Sequence, residues 1–345
     1  MLNELIKSLD LPEFKSREEM LDILFREEYG YLPQKPSKIS YSVHENVINH
    51  FCAGKAIANK VDITVSLENG DFTFPIYTAI PQNGGKHPFC VMINFRDNVP
   101  DLYMPTEELI DNGFAVISFC YKDVTDDNDD FSDGLAGVIY GGRKRNPSDC
   151  GKIAMWAWAA QRAMDYAETL GCLDFENSVV CGHSRLGKTA RLCGATDERF
   201  KYVFSNDSGC GGAAITRNKG GETVGDITRS FSYWFCENYK KYANNEASMP
   251  FDQHFLAALA VPRKLFISSA SEDLWADPKF EFLNCIAAGK AYEAAGMTGF
   301  KHSDRFLNPG EYIFTENIGY SLRPGMHYFS RADWNRFIEF FRYTK

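Results

Sequence analysis

The spacing of hydrophobic positions along this chain changes near residue 84. Between residues 39 and 80 apolar and polar side chains alternate, as in Val61-Asp62-Ile63-Thr64-Val65-Ser66 and Phe72-Thr73-Phe74-Pro75-Ile76-Tyr77. A period of two marks strands with one buried face, and Gly70-Asp71 between them reads as a hairpin turn. Upstream, one helix over about Ser16–Tyr29 and a proline-containing exit, Leu32-Pro33-Gln34-Lys35-Pro36, form a lead-in. Downstream, short apolar runs alternate with helical stretches. Strands are predicted at Phe89–Phe95, Phe114–Cys120, Ser178–Cys181, Tyr202–Phe204, Arg263–Ser269 and Ile318–Leu322. Helices are predicted over Asp149–Leu170, capped by Ser148 or Asp149, and over Phe255–Ala260, Lys279–Ala295 and Arg331–Phe341. The stretch from Asp123 to Gly142, rich in Asp and Gly, reads as a long loop. Antiparallel strands followed by alternating β and α units predict an α/β fold, one mixed, mostly parallel sheet with helices on both faces. A single domain over 1–345 is expected, residues 1–84 supplying the helix and antiparallel strands that lead into the sheet.

Composition narrows the partners. The 345 residues are 44% apolar and 24% charged, with a net charge of −9. That balance gives a large core and argues against nucleic acid or an anionic membrane surface as partner. No apolar run approaches the roughly 18–20 residues of a membrane span. The start, Met1 to Asp10, lacks the long apolar stretch of a signal peptide, so a cytoplasmic location is expected, or secretion if a leader has been removed. Ten cysteines are scattered without a C-x-x-C pair, which reads as buried reduced thiols. No residues have zinc-ligand spacing, so neither metal nor cofactor is expected.

The chemistry centres on Val179-Val180-Cys181-Gly182-His183-Ser184-Arg185-Leu186-Gly187-Lys188. An apolar run ends in glycine, a serine follows two residues later, and a helix-compatible run comes next. This is a nucleophile elbow, a serine held on a sharp strand-to-helix turn. The turn lifts the hydroxyl clear of the backbone and places helix-start N–H groups where an oxyanion forms. The usual G-x-S-x-G spacing is altered: Leu186 stands where glycine is expected and Gly187 follows it. The competing reading of Ser184 is an ordinary helix N-cap. A base and an acid should follow in chain order. His327 lies in a loop just before the last helix and is the base candidate; His254 and His302 are rivals, His254 reading as structural. Two acids compete. Asp273 follows the strand ending near Ser269, and Asp207 follows Tyr202–Phe204. Either could instead be a turn aspartate, and Asp277 before Pro278 reads as a helix N-cap.

From about Tyr77 to Phe341 the chain resembles the glucuronoyl esterases, carbohydrate esterase family 15. The matching segments include Asp149-Cys150-Gly151-Lys152 through Trp158, Gly182 through Lys188, Ser208-Gly209-Cys210-Gly211-Gly212, Gly221-Glu222-Thr223-Val224, Trp234-Phe235, Asp273 through Pro278 and Arg323-Pro324-Gly325-Met326-His327. The resemblance implies a three-layer αβα sandwich of the α/β-hydrolase fold and a serine triad without metal. It implies Ser184 as nucleophile, Arg185 as oxyanion stabiliser, and Lys188, Glu222 and Trp275 as sugar-binding residues. Arg185 fits that role on chemical grounds too, since a fixed guanidinium stabilises a developing oxyanion. For Lys188 the competing reading is a solvated helix residue. Family members with the acid on the earlier strand carry glutamate there, whereas this chain has Asp207, one methylene shorter. The balance between the two acids tips towards Asp273.

The expected activity is hydrolysis of glucuronic acid esters, including 4-O-methyl-glucuronates, through an acyl-enzyme on Ser184. The expected partner is a small-molecule or oligosaccharide uronate ester. Acetylated xylo-oligosaccharides or other small sugar esters are the alternative substrates. A non-catalytic carbohydrate-binding protein that keeps the fold is the alternative of another class.

Overall fold

The structure is a computed structural model and describes residues 1–96 and 103–345. Among the described residues ten strands form one sheet in the order β1-β2-β3-β5-β4-β6-β7-β8-β10-β9. They are β1 (Lys38–His44), β2 (Ala56–Leu67), β3 (Gly70–Pro81), β4 (His87–Asn94), β5 (Ala115–Cys120), β6 (Leu173–His183), β7 (Tyr202–Asn206), β8 (Lys264–Ala270), β9 (Tyr312–Phe314) and β10 (Ile318–Arg323). β1, β2, β3 and β5 pair antiparallel. β5, β4, β6, β7, β8 and β10 are parallel, and β9 closes the far edge antiparallel.

Alternation along the central strands divides the core in two. Val91, Ile93, Ile117 and Val180 face one side with the helices Lys152–Ala167, Arg185–Thr196 and Pro278–Ala294. Cys90, Met92, Val116, Val179 and Cys181 face the other with the helices Thr106–Asp111 and Arg331–Thr344. This is the three-layer arrangement of an α/β hydrolase. β4 has β5 on one side and β6 on the other, so the strand order reverses there. Ligands of such sheets bind at the carboxyl ends of the strands beside that reversal, which is where β6 delivers Ser184. The cysteines are thiols, most of them buried. No helix among the described residues is long and apolar enough to cross a membrane.

Several local expectations need correction. The β2–β3 ladder runs on to Leu67↔Gly70, so the two-residue turn is Glu68-Asn69, and Gly70 begins the return strand with φ 136°. The helix expected from Asp149 starts after Gly151, which is its N-cap. A Cβ on Gly151 would stand 2.3 Å from the Trp234 carbonyl oxygen, so only glycine fits that junction. Asp149 instead accepts from the Asn146 N–H at 2.7 Å and pairs with Arg143. The Asp- and Gly-rich stretch contains a short helix, Gly134–Tyr140, that buries Leu135, Ala136 and Tyr140. The lead-in carries two helices rather than one: Leu2–Ser8, then the longer Arg17–Leu24, which is capped by Ser16 and Glu19 as a capping box and ends in a π-turn, Phe25–Tyr29.

Candidate active site

Ser184 sits between β6 and the helix Arg185–Thr196 with φ 57° and ψ −128°. A non-glycine residue in that region carries about 1–3 kcal/mol of strain and persists only where its surroundings enforce it. They do so here: the Ser184 N–H donates to the Asn206 carbonyl at 2.9 Å, and its own carbonyl accepts from Gly187 and Lys188. The hydroxyl makes no capping bond, so the ordinary N-cap reading fails. The N–H of Arg185, first in the helix, has no intrahelical partner.

A cavity of about 300 Å³ opens over this turn, lined by Ser184, Arg185, Lys188, Asp207, Glu222, Asp273, Trp275 and His327 among others. The favoured candidates from the sequence and both competing acids thus line one cavity. His327 Nδ1 lies 2.6 Å from Asp273 Oδ2, and the Ala276 N–H reaches Asp273 Oδ1 at 3.2 Å. Burial works to raise the Asp273 carboxyl, but the hydrogen bond and charge of His327 outweigh it and hold it below the ordinary range. Asp207 makes no hydrogen bond to His327. It accepts the Ala270 N–H at 2.6 Å and lies 3.4 Å from Arg323 Nη2. Burial pushes its carboxyl well above the usual range, with Glu281, Asp333 and Asp273 adding to the effect. The two acids therefore differ in setting: Asp273 is the hydrogen-bonded partner of the imidazole, and Asp207 a buried neighbour whose carboxyl is pushed the opposite way. His254 is buried and contacts the Pro12 carbonyl, while His302 packs on Phe282 and Phe300 outside the cavity.

Lys188 is buried rather than solvated. Its ammonium donates to the carbonyls of Ser208 (2.6 Å) and Cys210 (2.5 Å) and stands 3.7 Å from Glu222. The Glu222 N–H donates to the Trp275 carbonyl at 2.8 Å, which ties these two wall segments together. Trp275 itself is 58% exposed and forms the rim. Asp277 caps the helix Pro278–Ala294, as its place before Pro278 implies.

Compared with known proteins, residues 63–296 match the family model for fungal glucuronyl esterases. The chain is 42% identical over 236 residues to Carbohydrate esterase MZ0003 from an unknown prokaryotic organism, covering 68% of this chain and 54% of that protein. It is 30% identical over 293 residues to the 4-O-methyl-glucuronoyl methylesterase of Podospora anserina, covering 81% of this chain and 55% of that one. The chain belongs to the glucuronoyl esterase family. The glucuronoyl esterase from Solibacter usitatus superposes with a TM-score of 0.87 at 30% identity, covering 96% of this chain and 92% of that one. A promiscuous carbohydrate esterase family 15 enzyme from a marine bacterial metagenome gives 0.85 at 31%, covering 96% and 91%. The chain spans about half the length of the curated relatives it matches.

In this glucuronoyl esterase family member two parts of the site escaped the sequence. Asp127 pairs with Arg185 Nη1 and accepts from Trp234 Nε1 at 2.7 Å and Tyr121 Oη at 3.0 Å. The Arg185 guanidinium also lies 4.8 Å over the Trp234 ring, which stacks on Phe231 at 4.1 Å. Its Nε has no hydrogen-bond partner among the described residues. Nothing in sequence separates Asp127 from the other aspartates of its loop. The second part is His183. It is buried, its Nδ1 lies 2.6 Å from Asn206 Oδ1, and its ring lies 4.5 Å from that of His327. Burial, with the neighbouring His327, lowers its pKa to about 3, so it backs the exposed histidine as a neutral ring.

Proposed function

We propose that the chain hydrolyses esters of glucuronic acid, the sugar acid forming the acyl part and an alcohol leaving. The observation that carries this reading is the cavity beside Ser184. One wall offers a strained serine with the His327–Asp273 pair, and the other offers Lys188, Glu222 and Trp275. At about 300 Å³ it has room for a pyranose ring on the acyl side, far more than an acetyl group fills. The names of the curated relatives support the same substrate class.

In this reading His327 takes the Ser184 proton as Oγ attacks the ester carbonyl carbon. The negative charge on the former carbonyl oxygen falls to the Arg185 N–H and guanidinium. Collapse breaks the carbon–alkoxy bond, and His327 returns the proton to the leaving alcohol. Water, deprotonated by His327, then releases the uronate and restores Ser184. Asp273 holds the imidazole and balances its transient charge. The test compares wild type and Ser184→Ala on a methyl glucuronate and an acetyl-xyloside. Wild type is expected to favour the glucuronate ester, and Ser184→Ala to lose turnover. Preference for the acetyl-xyloside, or activity without Ser184, sinks the reading.

A further inference from the structure

We propose that Arg323 is a positioning residue for the base: its guanidinium fixes the loop that presents His327. The inference rests on the esterase reading of Ser184 and His327.

Burial anchors the loop at its far end, where Phe329 is fully buried against Phe204 and Trp334, but not at its tip. The His327 side chain is 44% exposed, and its neighbours Met326 and Tyr328 also point into solvent. The backbone is gripped from beneath instead. Arg323 Nη2 donates to the Met326 carbonyl at 3.0 Å and to the Tyr328 carbonyl. These are the residues immediately before and after His327. Nη1 donates to the Pro324 carbonyl at 3.1 Å, and Nε to Asp333 Oδ2 at 2.9 Å. Asp333 in turn accepts from Ser330, the N-cap of the last helix, and completes its capping box. One planar fork therefore spans the whole connection from β10 to that helix. The chain bends round it at Gly325, whose φ of 109° would strain any side chain and whose hypothetical Cβ would lie 3.2 Å from Arg323 Nη1.

The same guanidinium reaches the acid side of the site, where Nη2 lies 3.4 Å from Asp207 Oδ2. Asp207 is tied to the end of β8 through the Ala270 N–H, and Asp273 follows three residues later. A carboxylate oxygen of Asp207, one of Asp273 and a ring nitrogen of His327 all lie within 4.8 Å of one another. Arg323 thus fixes the His327 loop relative to the strand end that carries Asp273. A lysine could keep the charge but not the fork, because an ammonium is a compact point donor that cannot meet these acceptors together. The loop also keeps two backbone bonds that do not need the guanidinium: Ser271 N–H to the Arg323 carbonyl at 2.8 Å and Glu272 N–H to the Gly325 carbonyl at 2.9 Å. A side-chain variant therefore retains an anchored loop.

The experiment measures kcat and KM on a methyl glucuronate, the rate of fluorophosphonate labelling at Ser184, and Tm. The proteins are wild type, Arg323→Lys, Asp273→Asn and the double variant. Arg323→Lys is expected to keep Tm close to wild type and KM within about twofold, while kcat and labelling fall about 10²-fold, the penalty for a misplaced catalytic group. In the Asp273→Asn background, where the imidazole has already lost its orienting partner, the same change should cost less than about threefold. A lysine variant with wild-type kcat and labelling overturns the proposal, as does a loss equal in both backgrounds. Wild type that labels at Ser184 but leaves glucuronate esters intact refutes the substrate reading alone, and labelling still decides the role of Arg323. Wild type that neither labels nor turns over overturns both.

Discussion

At the scale of single residues, hydrogen-bond geometry separates two carboxyls that sequence order could not. Both Asp207 and Asp273 follow a strand end between the nucleophile and the histidine. The choice depends on which oxygen reaches Nδ1, and that follows from loop conformation rather than residue type. Asp273 Oδ2 lies 2.6 Å from His327 Nδ1, which holds that carboxyl below the ordinary range, whereas Asp207 makes no such bond and burial pushes its carboxyl up. Asp273→Asn is therefore expected to lower kcat about 10³–10⁴-fold. Asp207→Asn should stay within about tenfold of wild type, since its amide oxygen can still accept the Ala270 N–H. Steady-state kinetics on a methyl glucuronate checks both, and equal losses would return Asp207 to the triad. Asp127 acts one step further out. Its carboxylate takes Arg185, Trp234 and Tyr121 together, so it sets where the guanidinium stands. Asp127→Asn is expected to lower kcat by about 10²-fold, the size of losing one oxyanion donor, with Ser184 still reactive towards a fluorophosphonate. An unchanged kcat would remove Arg185 from the oxyanion site.

At the scale of elements, the altered spacing of the elbow has a packing cause. Leu186, where glycine is usual, is fully buried in the core beneath the helix. The close approach falls one residue later, at Gly187, where a Cβ would lie 2.9 Å from Ser208 Cβ and 3.0 Å from Ser205 Oγ. Gly182 is tighter still, with a Cβ 2.2 Å from the Leu186 carbonyl oxygen. Gly187→Ala meets these two serines and, at 3.1 Å, the Asn206 carbonyl, a milder clash that should cost about 1–3 kcal/mol, read as a lower urea midpoint in a folded protein. Gly182→Ala meets the backbone of the elbow itself and should lose both folding yield and Ser184 labelling. A Gly182→Ala protein that labels normally would show that the turn has slack. The long periodic segments were legible because burial on one or both faces writes itself into spacing: β2, β3, β4, β5 and the last helix follow their patterns closely. The helix Gly134–Tyr140 was not, because its seven residues, two of them glycine, make fewer than two turns and are too short to show a helical period. The cap at Gly151 was hidden for another reason, since contact with Trp234 and Phe235 decided it.

At the scale of the whole molecule, the active-site loops rest on buried acids that sequence could not mark, since a glutamate at the end of a helix reads as solvated. Glu28, in the π-turn that ends the first long helix, is fully buried. Its Oε1 accepts from Gln253 Nε2 at 2.8 Å, and a Cβ on Gly211, in the loop whose carbonyls hold Lys188, would lie 3.4 Å from that same oxygen. Burial raises its pKa to about 8, with Gln253 pulling the other way. In the unfolded chain a glutamate titrates near about 4.3. Between those values the folded protein keeps a proton that the unfolded chain has released, so this contribution to stability is complete below about pH 4 and drains away as pH rises towards 8. Glutamine cannot ionise, and its amide oxygen can still accept from Gln253. Glu28→Gln is therefore expected to match wild type near pH 4 and to exceed it increasingly up to pH 8, by on the order of a few kcal/mol at about 1.4 kcal/mol per pKa unit. Glu281, raised to about 7 by burial, drains in the same direction, but it is common to both proteins and cancels in the comparison. Urea midpoints across that pH range provide the measurement. A difference that is flat with pH would mean that Glu28 is ionised in the fold, with the Lys188 charge sufficient to hold it so.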